Sequence, residues 1–167
     1  MELLVIRHAI AEDRDEFAEP GRPDDERPLT DAGRKKMKQA ARGLRKVVGS
    51  IDHLATSPLV RAVQTAEIVS DAFDIAPAEV VAGLVPEAHP EDFARWIATH
   101  SGKATVAIVG HEPHLSSLVS WLITGSGGSQ IAMKKGGACL VTFDGPVEAR
   151  SGSLSWLMTP RVLRQLG

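Results

Sequence analysis

The chain has 167 residues, a formal net charge of -2 and 43% hydrophobic residues, which suits one globular domain with a sizeable core. This balance gives no bias toward nucleic acid or membrane, and no apolar run approaches the roughly 18 residues of a membrane span. Cys139 is the single cysteine, so no intramolecular disulfide can form, and the N-terminus lacks the basic region and long apolar run of a signal peptide. We therefore expect a cytoplasmic protein that binds neither nucleic acid nor membrane.

The first predicted element is a short buried strand, Leu3 to Ile6, followed directly by Arg7-His8. In an open α/β sheet, ligands bind beyond the carboxyl ends of the strands. Arg7 and His8 therefore lie where a ligand would lie. A charged pair that merely closes a strand is the simpler explanation until other parts of the chain converge on the same place.

A polar stretch from Ala11 to Pro28 then predicts a loop, because it is rich in acidic residues and contains Pro20, Gly21 and Pro23. Long loops in compact domains are often functional, and this one leaves from the proposed site. A solvated, mobile loop explains the composition equally well. Arg27 is the residue in it that could join a site.

A helix follows, with Thr30 as N-cap, Asp31 in the first turn and Gly49 just past its end. Its predicted buried stripe is Met37, Ala40, Ala41, Leu44, Val47 and Val48. Its other faces carry seven cations, Arg34, Lys35, Lys36, Lys38, Arg42, Arg45 and Lys46. Such a run could dock an acidic partner, but a solvated face is the commoner explanation.

A second strand, His53 to Thr56, precedes Ser57 as a predicted N-cap with Pro58 at the first helical position. The helix is predicted over Leu59 to Phe73. Arg61 falls in its first turn, where backbone N–H groups and the helix dipole favour an anion.

The clearest buried strand of the chain, Ala104 to Val109, ends in Gly110-His111. Pro113 is predicted to open the next helix, which ends at Gly125. A second strand thus delivers a histidine to its carboxyl end. Before it, the sequence predicts a short strand at Val80-Val81, a turn-rich loop from Leu84 to Pro90 that contains Glu87, and a helix from Glu91 to about His100.

The remaining residues predict a loop from Gly125 to Ser129, strands over Ala138 to Phe143 and Ser153 to Leu157, and a short helix from about Pro160. Lys134 and Lys135 precede the first of these strands. A lysine-capped turn at a sheet edge is the favoured interpretation, and an extension of a phosphate-binding patch is the alternative.

The motifs, taken in order, resemble the histidine phosphatase superfamily, and in detail its SixA-type branch of small phosphohistidine phosphatases. They are Arg7-His8-Ala9, the stretch Arg27 to Gly33, Ser57-Pro58 with Arg61-Ala62 and Gln64-Thr65, Gly110-His111 with Pro113, and Trp156 to Pro160. Ala9 replaces the superfamily's usual glycine, and Glu112 and His114 stand where relatives often carry uncharged polar residues. The resemblance implies one domain over residues 1–167, a three-layer α/β/α sandwich with a mostly parallel sheet, of the phosphoglycerate mutase-like kind.

The resemblance implies phosphoryl transfer through His8 as nucleophile, with Arg7, Arg61 and His111 holding the phosphoryl oxygens. The protein's own cations would neutralise those oxygens, so we expect no metal and no cofactor. Glu87 lies where the resemblance places a general acid, although an ordinary loop carboxylate explains it equally well. A metal site built from His8, His111 and Glu87 is the competing hypothesis, and the nearby arginines would repel a divalent cation.

The first functional expectation is a phosphatase acting on phosphohistidine of a signalling or phosphotransfer protein. The acidic early loop and basic helix hint weakly at such a phosphoprotein partner. The alternatives are a phosphomonoesterase of small phosphorylated metabolites and a phospho-ligand binding module without turnover. A mutase is disfavoured because the short chain lacks inserted segments to exclude water. The roles of Arg27, Glu112, His114 and Lys134 stay open.

Overall fold

A central β-sheet organises the computed structural model, which describes residues 1–19, 21–128 and 131–167. Its strands in these residues are β1 (Glu2–Arg7), β2 (His53–Thr56), β3 (Glu79–Val80), β4 (Thr105–Gly110), β5 (Ala138–Thr142) and β6 (Ser153–Met158). They lie in the order β3-β2-β4-β1-β5-β6. The pairs β3–β2, β2–β4 and β4–β1 are parallel, whereas β5 is antiparallel to β1 and β6 is antiparallel to β5.

Helices cover both faces of this sheet. They are α1 (Arg14–Ala18), α2 (Asp31–Val48), α3 (Val60–Phe73), α4 (Pro90–Ala98), α5 (His114–Thr124) and α6 (Pro160–Leu166). Helices α2, α3 and α6 bury one apolar cluster against the sheet, and α4 and α5 bury another on the opposite face. This is the three-layer, mostly parallel α/β/α arrangement that the sequence predicted. Within the described residues no helix is long and apolar enough to cross a membrane.

Strand β1 lies in the middle of the sheet and is buried on both sides. Leu4 and Ile6 belong to the cluster under α2 and α3, while Leu3 and Val5 belong to the cluster under α4 and α5. All four side chains are 0% exposed. A strand buried on both faces needs an unbroken apolar run rather than an alternating one, which explains the sequence before Arg7.

Helix α2 begins and ends where the sequence predicted. The Thr30 side chain accepts a hydrogen bond from Gly33 N at 2.9 Å, and Gly49 closes the helix with a φ of 82°. A Cβ at Gly33 would collide with the carbonyl oxygen of Ile10, so glycine lets the helix start directly against the segment after His8. Val47 was wrongly assigned to the buried stripe, since it is 37% exposed.

Three local predictions about where helices begin are wrong. The predicted loop contains α1, because the Asp13 carboxylate accepts from two backbone N–H groups and Phe17 is buried; a 3₁₀ turn, Asp24–Glu26, follows. Ser57 is not the N-cap of α3, which begins one residue after Leu59. Pro113 occupies the N-cap position of α5 rather than its first helical position. Pro20 and Ser129, both included in predicted loops, lie outside the described residues.

The sheet order creates a crevice between β1 and β4. These strands are parallel neighbours, yet β1 leads to α2 on one face and β4 leads to α5 on the other. Such a switch point leaves the space beyond the strands' carboxyl ends open, and ligands of open α/β sheets bind there.

Candidate active site

His8 and His111 follow β1 and β4 and meet at this crevice. The register pairs Arg7 with Gly110, and His8 N donates to Gly110 O at 3.0 Å. The two imidazole centroids are 5.0 Å apart, with their planes tilted by 49°. The structure therefore brings together the two histidines that lie about a hundred residues apart in the chain.

The His8 ring is held in one tautomer. Its Nδ1 lies 2.7 Å from the carbonyl oxygen of Ala9, and a carbonyl can only accept, so Nδ1 carries the proton and Nε2 keeps its lone pair. Ala9 N in turn donates to Thr65 Oγ1 at 3.0 Å. Burial, opposed by the Ala9 contact and reinforced by the charges of Arg61 and Arg7, lowers the pKa of His8 to about 3. The imidazole is therefore neutral across the physiological range.

His111 is oriented by Ser57, the residue that the sequence had placed as a helix cap. Its Nε2 lies 2.9 Å from Ser57 Oγ, which itself accepts from Leu59 N at 3.4 Å. We assign the hydroxyl proton to His111 Nε2, which leaves a proton on Nδ1, a buried atom without a partner. Burial first, and then the neighbouring His8 and Arg61, lower the pKa of His111 to about 3.

Two guanidinium groups flank the histidines, that of the half-buried Arg7 and that of the buried Arg61. Arg7 Nη1 donates to Met133 O at 2.6 Å, and Arg61, in the first turn of α3, donates from Nη1 to Asp24 O at 2.7 Å. The side chain of Arg61 is 3% exposed. Burial lowers the pKa of both groups from its usual value, but arginine stays charged in proteins. In both residues Nε is buried without a partner.

Asp24 lines the cleft and binds three arginines, which the sequence did not predict. Its carboxylate contacts Arg61 Nη2 at 3.0 Å, Arg27 Nε at 2.8 Å and Arg14 Nε at 3.1 Å. The hydrogen bond from Arg14 holds the pKa of Asp24 far below its usual value against the opposing effect of burial, with further lowering by the hydrogen bond from Arg27 and the charge of Arg61. Arg27 also donates to Glu12 O at 2.8 Å and is 7% exposed. The long acidic segment thus folds back over the site.

These groups line an open cleft of about 980 Å³. Glu87 also lines it, from the turn after the 3₁₀ helix Ala82–Leu84, and its side chain is exposed. Lys135 lines it as well, so the preferred edge-turn interpretation is wrong: β5 lies between β1 and β6 and is not an edge. Lys134 is not among the lining residues. The cleft has room for considerably more than one phosphate group.

Glu112 lines the cleft, whereas His114 is not among its lining residues. Glu112 Oε2 accepts from Ser116 Oγ at 2.5 Å, which ties this carboxylate to α5. His114 is buried, and burial lowers its pKa although Glu87 opposes the shift. Against the lowering by burial, the charge of Glu112 raises the pKa of Arg7, whereas burial favours the neutral form of His114.

Unsatisfied polar atoms concentrate at this end of the sheet. Among the described residues, the buried side-chain nitrogen and oxygen atoms without a partner belong to Arg7, Arg61, His111, Glu112 and His114. Buried polar groups are normally paired, since leaving one unpaired costs about 1–3 kcal/mol. Three of these atoms, the two Arg Nε and His111 Nδ1, are donors around one cleft, and an oxyanion would satisfy them.

The competing metal hypothesis is not favoured by the geometry. In the described part of the chain, the histidine and carboxylate ligand atoms that gather within 4.8 Å as a group of three belong to His53, Glu79 and His100. His8, His111 and Glu87 do not form such a group.

Comparison with known proteins agrees with this arrangement. Residues 3–85 match the model of the histidine phosphatase superfamily (branch 1). An uncharacterized protein from Picosynechococcus sp. is 36% identical over 140 residues, which are 82% of each chain. The fold and these matches define a phosphatase, a hydrolase of phosphorylated compounds. The chain belongs to the histidine phosphatase superfamily.

Within the superfamily, the SixA-type resemblance is confirmed. Phosphohistidine phosphatase SixA of Escherichia coli (strain K12) is 28% identical over 163 residues, 96% of this chain and 94% of that protein. A structure of the protein histidine phosphatase SixA complexed with tungstate matches with a TM-score of 0.82 at 28% identity, over 98% of this chain and 99% of that one. The alpha-ribazole phosphatase from Shigella flexneri matches with a TM-score of 0.75 at 18% identity, over 96% and 97%, and shares the phosphoglycerate mutase-like fold.

Proposed function

We propose that this protein is a metal-independent phosphatase that works through a phosphohistidine intermediate on His8 and acts on phosphohistidine of a signalling or phosphotransfer protein. One observation carries the mechanism: a neutral imidazole with a free Nε2 stands beside Arg7 and Arg61, whose buried Nε donors lack partners. A nucleophile must be unprotonated, and phosphoryl transfer depends on positioning and on neutralising the phosphoryl oxygens.

In the first step, His8 Nε2 attacks phosphorus in line with the leaving group. The Nε2–P bond forms as the bond from phosphorus to the leaving atom breaks, and the leaving group takes up a proton from solvent. Arg7, Arg61 and His111 Nδ1 donate to the three phosphoryl oxygens. Ala9 O meanwhile keeps accepting from Nδ1 and stabilises the positive charge that the ring acquires.

In the second step, water attacks the phosphorus of phosphorylated His8. A bond from the water oxygen to phosphorus forms as the Nε2–P bond breaks, the water gives up a proton to solvent, inorganic phosphate leaves, and the ring returns to the tautomer fixed by Ala9. The same donors serve both steps because the phosphoryl group does not leave the cleft. No charge beyond those of the side chains is needed, which is why we propose a metal-independent reaction.

The substrate class is proposed from similarity and from leaving-group chemistry. The SixA proteins are similar to this chain over nearly its whole length. A phosphohistidine substrate releases imidazole, which can be protonated near neutral pH and needs little help from an acid. An exposed cleft of about 980 Å³ can accept a side chain presented on a protein surface.

Hydrolysis of small phosphate esters is the second candidate, and Glu87 is the observation that favours it. An ester releases an alkoxide or phenolate, so a carboxylic acid positioned at the cleft accelerates its departure. Glu87 lines the cleft, and phosphatases of small metabolites share this fold.

A two-substrate assay with chelator present tests the proposal. Wild type, His8→Ala and the control His89→Ala are compared on a phosphohistidine protein and on an aryl phosphate; His89 is exposed and does not line the cleft. We expect that chelator and the His89→Ala substitution leave turnover unchanged, whereas His8→Ala abolishes it. Turnover should be higher on the phosphohistidine protein than on the aryl phosphate. Activity that survived His8→Ala would refute the mechanism, and turnover mainly on the ester would favour the second candidate. A wild type without turnover on either would favour the binding module.

A further inference from the structure

A second cluster of titratable side chains lies away from the cleft, at the outer edge of the sheet. It consists of His53 at the start of β2, Glu79 at the start of β3 and His100 just after α4. Each offers one ligand atom, and the three atoms lie within 4.8 Å of one another. The active site lies beyond the other, carboxyl end of β2, about 10 Å along that strand, and none of the three residues lines its cleft.

Both histidines lie close to the same carboxylate oxygen of Glu79. His53 Nε2 lies 2.8 Å and His100 Nε2 lies 3.6 Å from Glu79 Oε2. The other oxygen, Oε1, accepts from Trp96 Nε1 at 3.1 Å. The Trp96 indole thus fixes the orientation of the carboxylate, with Oε2 pointing toward the two imidazole rings.

The tautomer of His100 creates a conflict that a cation would remove. Thr99 Oγ1 donates to Trp96 O at 2.7 Å, so toward His100 Nδ1, at 3.0 Å, the hydroxyl acts as acceptor. Nδ1 therefore carries the proton, which it can also share with Trp96 O at 3.3 Å. When the His100 ring is neutral, the lone pair of its Nε2 therefore points toward Glu79 Oε2. Both atoms are hydrogen-bond acceptors, so no hydrogen bond can form between them.

We propose that His53, Glu79 and His100 form a binding site for a divalent transition-metal ion of the zinc type. Two imidazoles and a carboxylate are a donor set that Zn²⁺ accepts, with water in the remaining position. Ligating histidines characteristically donate their other N–H to a backbone carbonyl or a similar acceptor, as His100 does here. The side chains are 25%, 43% and 16% exposed for His53, Glu79 and His100, so an ion can enter from solvent.

The ion would serve structure rather than phosphoryl transfer. Strand β3 has only two residues and forms the edge of the sheet. An ion bound to all three side chains would tie this edge to β2 and to the turn after α4. An ion that binds only the folded chain stabilises it according to its concentration relative to its Kd.

The test is a titration of chelator-treated, full-length protein with ZnCl₂ by calorimetry, repeated with Co²⁺ to follow its visible absorption. We expect one ion per chain, and binding at least about tenfold weaker in His53→Gln and in His100→Gln. Saturating Zn²⁺ should raise the unfolding midpoint of wild type by about 5 °C and that of His100→Gln by clearly less, since tenfold weaker binding removes about 1.4 kcal/mol of the stabilisation. Below pH 6 the affinity should fall, because protons compete for the imidazoles.

Two controls separate this site from other histidines. His89 is exposed and lies outside the cluster, and His8 lies in the cleft. The variants His89→Gln and His8→Ala should therefore both bind Zn²⁺ as wild type does. Trp96→Phe keeps all three ligands but removes the hydrogen bond to Glu79, and should weaken binding about 10–100-fold. Unfolding midpoints in chelator verify that each variant is folded. Equal Zn²⁺ binding by wild type and a His53→Gln/His100→Gln double variant, or loss of the ion in His8→Ala, would overturn the proposal.

Discussion

The buried, neutral histidines of the active site make the stability of the fold depend on pH. Burial lowers the pKa of His8 to about 3, whereas a histidine in the unfolded chain titrates near its ordinary value of about 6.5. Between these values the unfolded chain binds more protons than the folded one. The stabilisation is therefore complete above about pH 6.5 and is lost as the pH falls toward 3.

The size of the effect follows from these two pKa values. Between pH 7 and pH 5, one such histidine costs about 2 kcal/mol of unfolding free energy, since each pH unit below 6.5 contributes about 1.4 kcal/mol. The His8→Gln variant has no imidazole to titrate there. Between pH 7 and pH 5, His8→Gln should therefore lose about 2 kcal/mol less unfolding free energy than wild type does. This corresponds to a difference of about 4–8 °C in unfolding midpoint.

Urea denaturation at pH 7 and pH 5 measures this difference directly. His89→Gln serves as the matched control, because His89 is exposed, and it should show the wild-type pH dependence. Each variant is compared by its change in unfolding free energy between the two pH values, so any loss of stability in His8→Gln that is the same at both pH values cancels. A His8→Gln variant that lost as much stability as wild type between pH 7 and pH 5 would refute the reasoning that His8 is buried in its neutral form.

Four further substitutions test the surroundings of His8. Asp24→Asn removes the charge that holds Arg61, so kcat/KM on an aryl phosphate should fall about tenfold or more; unchanged kinetics would show that Arg61 is held without this charge. Ser57→Ala frees His111 Nε2 and should lower kcat by about 10²-fold with little change in KM, and a change confined to KM would contradict this. Glu87→Gln should reduce ester hydrolysis much more than phosphohistidine hydrolysis, and equal losses would remove its role as an acid. Lys135→Ala should raise KM in a salt-dependent manner while the control Lys134→Ala does not; equal effects of both would point to general surface charge.

The histidine pair could be predicted from the sequence because strand ends carry positional information. Two apolar runs ending in histidines place both rings at one edge of a parallel sheet, whatever the loops do. Arg61 was predictable for a related reason, since a helix start after a strand faces the same edge. These predictions required only the direction of the strands and the identity of the residue that follows each of them.

The contribution of Asp24 could not be predicted in this way. It stands in a run of three acidic residues, Asp24 to Glu26, and nothing in that run indicates which carboxylate turns inward. Its selection depends on the fold of the whole segment, in which Asp13 caps a short helix and Phe17 enters the core. For Lys135 the less favoured of two interpretations fits the structure, because β5 looked like an edge strand until its pairing with both β1 and β6 was known.

The position of β4 in the sheet has a consequence for how the protein is made. Strands β1 and β2 are successive along the chain, but they are separated in space by β4, which begins at Thr105. During synthesis the N-terminal half therefore has a gap in its sheet until Thr105–Gly110 emerges and inserts, a pairing across about a hundred residues that local contacts cannot nucleate. His111 arrives with that insertion. The nascent chain thus cannot bring the two histidines of the candidate site together before its central sheet is closed, and completion of that site becomes a late marker of successful folding.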